Sequence, residues 1–397
     1  MSPPEVRKIR ITQRITCVLG SAAEYVRLAP VAAALRRRLP HVRQVLVSTD
    51  EGRTESPVSL FEGELDVPDL SYVLGIGSAR DPGHLAYTLD RFERVIELER
   101  PDFVLVAGDG DTALAGMLAA ARRDVPVAQL DAGVDVVEHT SPAALTQRIA
   151  DEIAALRFVP SEEAADRVLA HGVAAERVHL VGSTMIDALV GLEDRLDCAD
   201  AVGREGLREG DYLLVALHGS ALARRRTLWG ILNELRYLSR ERTVALVMHP
   251  DLERAIRSYP LCSRVRQIGP LDYLDSVSLA AKAAAVITDS IDVRTQAKHF
   301  GVQCLTPSES ADRLATSIHG RDVDRDPTVI PIENVSLDAP RGLDRRSALG
   351  DGRASERVVD VFERALPSRP ALRPVAFEEP RLSEEAGASS PADLRPA

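Results

Sequence analysis

The feature that most limits what this chain can fold into is an alternation. From about residue 15 onward, short runs rich in β-branched apolar residues are each followed by an alanine- and leucine-rich stretch with helical spacing. That is the pattern of βα units laid around a parallel sheet. One series of strands is expected at 15–20, 44–49, 102–108, 126–132, 156–161 and 177–183, and a second at 212–218, 243–250, 264–270, 284–290 and 302–307. Between them, residues 188–211 are charged and glycine-dotted, as an interdomain connection would be. The expectation is an α/β protein of two Rossmann-like domains, 1–187 and 188–353, facing a central cleft. A last helix, 354–366, is expected to pack back on the first domain. Residues 367–397, rich in Pro, Ala, Ser and Glu, are expected to be disordered.

Composition enters as a set of exclusions. A formal net charge of −11 works against nucleic-acid or anionic-membrane partners, and an aromatic share of 4% leaves little surface for stacking bases. Cys17, Cys198, Cys262 and Cys304 are widely spaced, with no C-x-x-C pair and no histidine at metal-ligand spacing, so they read as reduced thiols and no metal is expected. The first twenty residues lack a signal-peptide apolar core and no run reaches membrane-spanning length, which makes the cytoplasm the expected location.

In doubly wound sheets ligands sit beyond the carboxyl ends of the strands, so the polar residues there are the candidates. The first strand ends in Gly20-Ser21-Ala22-Ala23-Glu24, where Gly20 permits a tight turn and Ser21 suits a helix N-cap. The third ends in "AGDGDT", with Asp109 and Asp111, one of them expected to cap the next helix; the fourth ends in Asp131. Neighbouring strands lie about 4.8 Å apart, so Asp109 and Asp131 are close enough to couple and make a general acid or base. Capping of successive helices is an equally good account. In the second half, His218 and His249-Pro250 end two strands, and "ITDSIDVRTQA" runs from a strand into a helix. Such a turn can seat a phosphate on helix amides, yet Ile291 and Asp292 stand where glycine is usual.

Taken in order, "RLAPVAAALRRR", "PDFVLVAGDGDTALAG", "VPVAQLDAG", "FVPSEEAADRVLAHGVAAERVHLVGSTMIDAL", His249-Pro250 and "IGPLDYLDSVSLAAKAAAVITDS" resemble the non-hydrolysing UDP-N-acetylglucosamine 2-epimerases. The resemblance implies the glycosyltransferase-B architecture and a reaction needing no cofactor. UDP is eliminated after proton loss at C2, then added back with protonation on the other face. It implies catalytic roles for Asp109, Asp131 and His218, ligand contacts from Gly20, Glu24, Arg27, His249, Ser290, Arg294 and Gln296, a nucleotide-sugar or amino-sugar ligand, and a homodimer.

Departures from the family pattern are equally plain. Its "GTRPE" is "GSAAE" here, with Ala22 in place of the arginine; its acidic pair falls near Ala143 and Ala144; "HRREN" is "HGSAL"; and "SGGIQEE" is "SIDVRTQ", leaving Thr295 or Gln296 for the ribose-binding glutamate. Asp292 would repel a diphosphate by several kcal/mol if poorly screened, unless Arg294 compensates or pairs with it and closes the site. The reading is an epimerase of this type with a remodelled site or altered substrate. The alternatives are a noncatalytic descendant that binds a metabolite or partner protein, and a glycosyltransferase on the same fold.

Overall fold

A computed structural model describes residues 13–49, 65, 67–76, 83–108, 110–134, 142–218, 225–259, 261–269, 271–307, 314–316 and 350–366. Asp109 and the 367–397 tail lie outside the described residues. Residues Gln13–Pro367 form one compact unit.

Its first sheet has seven strands: β1 (Arg14–Leu19), β2 (Arg43–Ser48), β3 (Tyr72–Val73), β4 (Phe103–Ala107), β5 (Val127–Leu130), β6 (Leu156–Val159) and β7 (Val178–Leu180). They are ordered β3-β2-β1-β4-β5-β6-β7, and every pairing is parallel. Strands β4 and β5 are buried throughout, which is why they read as unbroken apolar runs: helices cover both faces. The second sheet has six: β8 (Tyr212–Ala216), β9 (Thr243–Val247), β10 (Val265–Ile268), β11 (Ala285–Thr288), β12 (Gln303–Pro307) and β13 (Leu314–Thr316), ordered β10-β9-β8-β11-β12-β13. All are parallel except the β12–β13 edge pair. The chain has two Rossmann-like domains of the glycosyltransferase-B type.

Each of the eleven strands anticipated from the sequence is present, mostly a residue or two shorter at the carboxyl end. Two edge strands were not anticipated. β3 and β13 span two and three residues, too short for a period of two to register. The segment read as a connector is helical, as Thr184–Cys198 and Ala201–Arg204, so the 187/188 position falls inside a helix. That helix has a structural reason to be continuous: Leu189, Leu192 and Leu196 share one apolar cluster with β1 and β4 residues and with Val277 beside the second sheet.

The last helix, Ala354–Ala365, lies against the first sheet and the helix Ala22–Arg38. Phe362 is fully buried, with its ring 5.5 Å from Phe103 and 5.6 Å from Phe158. The Asp187 carboxylate accepts from the backbone N–H of Ala354 (3.0 Å) and Ser355 (2.6 Å) and from the Ser355 hydroxyl (2.6 Å), so it acts as that helix's cap from a distance. Arg38 reaches Asp360 (2.5 Å) and Glu363 (3.0 Å) on the outer side.

This topology decides where a ligand can go. Strand order reverses between β1 and β4 in one sheet and between β8 and β11 in the other, and crevices open at such switch points. The residues just past β1, β4, β8 and β11 therefore define the candidate site.

Candidate active site

Past β1, the chain turns at Gly20 into the helix Ala22–Arg38. A Cβ at Gly20 would collide with the Thr112 hydroxyl and lie 2.6 Å from that of Thr49, so only glycine fits between these neighbouring chain crossings. Ser21 caps the helix as expected, in a capping box with Glu24: the Glu24 carboxylate accepts from the N–H of Gly20 (2.6 Å) and Ser21 (3.0 Å). Glu24, read as a ligand contact, is thus buried and engaged in shaping the turn. Thr49 and Thr112, which sequence reasoning passed over, wall this turn; threonine at a strand end and a helix start carries no distinctive pattern.

Past β4, the helix Asp111–Ala121 has Gly110 at its N-cap and Asp111 in its first turn, so Asp111 does not cap it. Past β5, Asp131 adopts φ +51°, a left-handed conformation that non-glycine residues seldom take. Its carboxylate accepts from Arg27 Nε at 2.7 Å rather than capping a helix, so the capping account does not hold for Asp131. Burial is the main reason its pKa is raised above the ordinary aspartate value; Arg27 pulls the other way, and Asp292 adds to the rise.

In the second domain, β11 leads through Asp289 and Ser290 into the helix Ile291–His299. Ser290 is its N-cap and accepts from Val293 N–H at 3.4 Å. The Asp289 carboxylate accepts from the backbone N–H of His218 at 2.6 Å, tying the end of β11 to that of β8. Asp289 was not singled out from the sequence, although "TDS" displays it. The rings of His218 and His249 stack, with centroids 5.4 Å apart and planes 12° from parallel. His249 N-caps the helix Pro250–Ile256, and its Nε2 donates to the Leu217 carbonyl at 2.8 Å. His218 keeps an edge open to solvent, yet reduced hydration and the adjacent His249 depress its pKa against the pull of Asp289 and Asp292.

One guanidinium bridges acidic groups of the two halves. Arg27 bonds Asp131 of the first domain through Nε and Asp292 of the second through Nη2. Burial alone would lower its pKa, but Asp292, Asp131 and Glu24 outweigh that and hold it above the ordinary arginine value. This corrects the expectation for the acidic turn: Asp292 is paired with Arg27, not Arg294. Among the described residues Arg294 makes no ion pair; its charge is felt at Cys304. Gln296 is buried on the same helix, and Thr295 returns its hydroxyl to the Ile291 carbonyl at 2.9 Å. Ala144 is buried, in keeping with the apolar replacement of an acidic pair.

The arrangement thus offers a buried carboxylate with a raised pKa, a permanent cation shared between domains, and two stacked imidazoles at the carboxyl end of the second sheet. No group of metal-ligating side chains occurs among the described residues. No described helix is long and apolar enough to cross a membrane.

The chain was compared with known proteins. UDP-N-acetylglucosamine 2-epimerase of Methanocaldococcus jannaschii is 24% identical over 364 residues, covering 88% of this chain and 98% of that protein. UDP-2,3-diacetamido-2,3-dideoxy-D-glucuronate 2-epimerase of Pseudomonas aeruginosa is 26% identical over 361 residues, covering 88% and 99%. The crystal structure of the M. jannaschii enzyme in complex with UDP-GlcNAc and UDP superposes with a TM-score of 0.77 at 22% identity, covering 89% of this chain and all of that one. The sequence profile of the family described as UDP-N-acetylglucosamine 2-epimerase matches residues 34–363, most of the chain, from within the helix after β1 to the last helix. The chain belongs to the UDP-N-acetylglucosamine 2-epimerase family.

Proposed function

We propose that this protein epimerises C2 of a nucleotide sugar of the UDP-N-acetylglucosamine type, through elimination and readdition of the nucleotide, in a site remodelled from the family pattern. The observation that carries this is the Asp131–Arg27 pair: a buried carboxylate with a raised pKa beside a permanent cation at the carboxyl edge of the first sheet. A carboxylate poised in this way suits removal of the weakly acidic C2 proton. Its neighbouring cation suits stabilisation of charge that develops on the departing phosphate.

In the proposed step, the C2–H bond breaks toward a carboxylate and its electron pair becomes the C1–C2 double bond. The C1–O bond breaks with its pair going to the nucleotide. Readdition with proton delivery to the opposite face inverts C2. Asp131 and Asp109 are the proposed proton carriers, and His218, held by Asp289 and stacked on His249, faces the leaving group. Gly20, Ser290, Arg294 and Gln296 are the proposed ligand contacts. The P. aeruginosa relative, named for a different UDP sugar, supports a changed substrate within the same chemistry.

The test is proton NMR of the purified protein with UDP-N-acetylglucosamine in deuterated buffer. Loss of the C2 proton signal together with appearance of the manno epimer is the expected result; release of free UDP without inversion, or no exchange at all, would count against it. One observation favours a noncatalytic binding role instead: Arg27 already holds Asp292, so the site's cation is engaged within the protein. Under that reading the protein binds a metabolite without exchange at C2, and the same spectra, through line broadening alone, report it.

A further inference from the structure

The turn that carries Asp131 is held at each of the three residues that follow it. The Ala132 backbone N–H donates to the Phe158 carbonyl of β6 at 2.9 Å. The Gly133 carbonyl accepts from Arg167 Nε at 2.9 Å, and the Val134 carbonyl accepts from the Gln147 side-chain amide at 2.8 Å. These two donors come from separate helices, Arg167 from Glu162–Ala170 and Gln147 from Pro142–Ile153. Gly133 has φ +70°, and a Cβ there would lie 2.5 Å from the Ala164 carbonyl oxygen, so the turn is pressed against the helix that carries Arg167. Asp131 itself keeps its left-handed φ of +51°, a conformation that persists in a non-glycine residue only when the surroundings over-determine it. A hydrogen bond from a guanidinium is charge-assisted and stronger than one between neutral groups, so Arg167 is the firmer of the two clamps.

Resting on the epimerase reading above, in which Asp131 carries the C2 proton, we propose that Arg167 and Gln147 are positioning residues for that carboxylate. They act through the backbone. By fixing the Gly133 and Val134 carbonyls they fix the path of the chain as it leaves β5, and that path sets where the Asp131 carboxylate stands beside Arg27, 2.7 Å away. A general base must lie within hydrogen-bond reach of the proton it takes, so a shift of about 1 Å in this turn costs the chemical step more than it costs ligand binding. Neither residue stands out in the sequence, because each grips a carbonyl at a distance along the chain: 13 positions for Gln147 and 34 for Arg167.

The test combines C2 proton exchange on UDP-N-acetylglucosamine with hydrogen exchange of the Ala132 amide, both on the full chain. Arg167→Met should lower kcat for C2 exchange by on the order of 10- to 100-fold while KM moves less than about threefold. Arg167→Lys, which keeps a charged donor, should restore part of the loss. Gln147→Leu should act in the same direction more weakly, and it carries the test if Arg167→Met does not fold. In an Asp131→Asn background either substitution should cost less than about twofold more, since the group it positions is gone. Independently of turnover, the Ala132 amide should exchange about tenfold faster or more in the variants while the amides of β1 and β8 are unchanged. An equal fold-loss in the wild-type and Asp131→Asn backgrounds, a rise in KM with kcat unchanged, or Ala132 exchange unaltered within about twofold would overturn the proposal. If the wild type exchanges no proton at C2, the epimerase reading fails, and the amide measurement by itself decides whether Arg167 holds the turn. Exchange at C2 in the wild type, with kcat and the Ala132 amide indifferent to both substitutions, would remove the inference alone.

Discussion

A guanidinium bonded to two carboxylates from different domains sets the charge state of the crevice at the residue scale. Arg27→Met would leave Asp131 buried with no cation, and breaking one partner from a buried pair costs about 3–5 kcal/mol. The expected outcome is a clear fall in melting temperature, partly recovered when Asp131→Asn is added because no uncompensated charge then remains; a double-mutant cycle by thermal melting checks it. Asp131→Asn by itself keeps shape and hydrogen bonding but removes the proton acceptor. If the proposed chemistry is right, C2 exchange should drop by roughly 10²–10⁴-fold, the usual contribution of a positioned acid or base. Melting temperature should change far less than for Arg27→Met, which separates a chemical role from a structural one.

At the scale of elements, two helix ends decide how the domains are closed off. Asp187, on the helix Thr184–Cys198, holds the first turn of the helix Ala354–Ala365 through three hydrogen bonds. Asp187→Ala removes all of them, and loss of a cap bonded to a charged group should cost about 2 kcal/mol, measurable by chemical denaturation. At the other end, His299 closes the helix Ile291–His299. It is buried and lies 3.4 Å from Glu193 on the same Thr184–Cys198 helix. Burial lowers its pKa despite the pull of Glu193, so the folded state holds the neutral ring. The unfolded chain takes up a proton near the ordinary histidine value of about 6.5. Stability from this group is therefore present above that value and lost as pH falls toward the folded one. Acidification from about pH 7.5 to about 5.5 should lower the melting temperature more for the wild type than for His299→Gln. Equal shifts in the two proteins would show that His299 binds protons alike in the folded and unfolded chain.

At the scale of the whole molecule, the chain end returns across more than two hundred residues to complete the first domain. Phe362 is fully buried against Phe103 and Phe158. Phe362→Ala should cost about 3–5 kcal/mol, a fall in melting temperature on the order of 10 °C for a domain of this size. Differential scanning calorimetry would read it, and a change under 2 °C would mean that the last helix adds little to the fold. The same contact explains why the two domains are not simple consecutive halves of the sequence. The first sheet is complete at Leu180, but the helix that covers Phe103 and Phe158 arrives only after the second sheet, and the helix Thr184–Cys198 contributes to the core between them.

The sequence by itself determined the two parallel sheets, because strands buried on both faces must be apolar throughout and helices between them must carry a periodic face. It also showed the order of the family motifs, the Ser21 cap and the oddity of Ile291 and Asp292. Whether an aspartate at a strand end caps a helix or meets a cation was beyond it. Asp131 and Arg27 are 104 positions apart, and Arg27 and Asp292 are 265 apart. Contacts at such separations leave no trace in local periodicity or turn chemistry. Only the tertiary structure decided them, by bringing the helix after β1 against the carboxyl end of β5 and the first turn of the helix after β11. An acidic residue that looked repulsive in the sequence is there one half of an ion pair between domains.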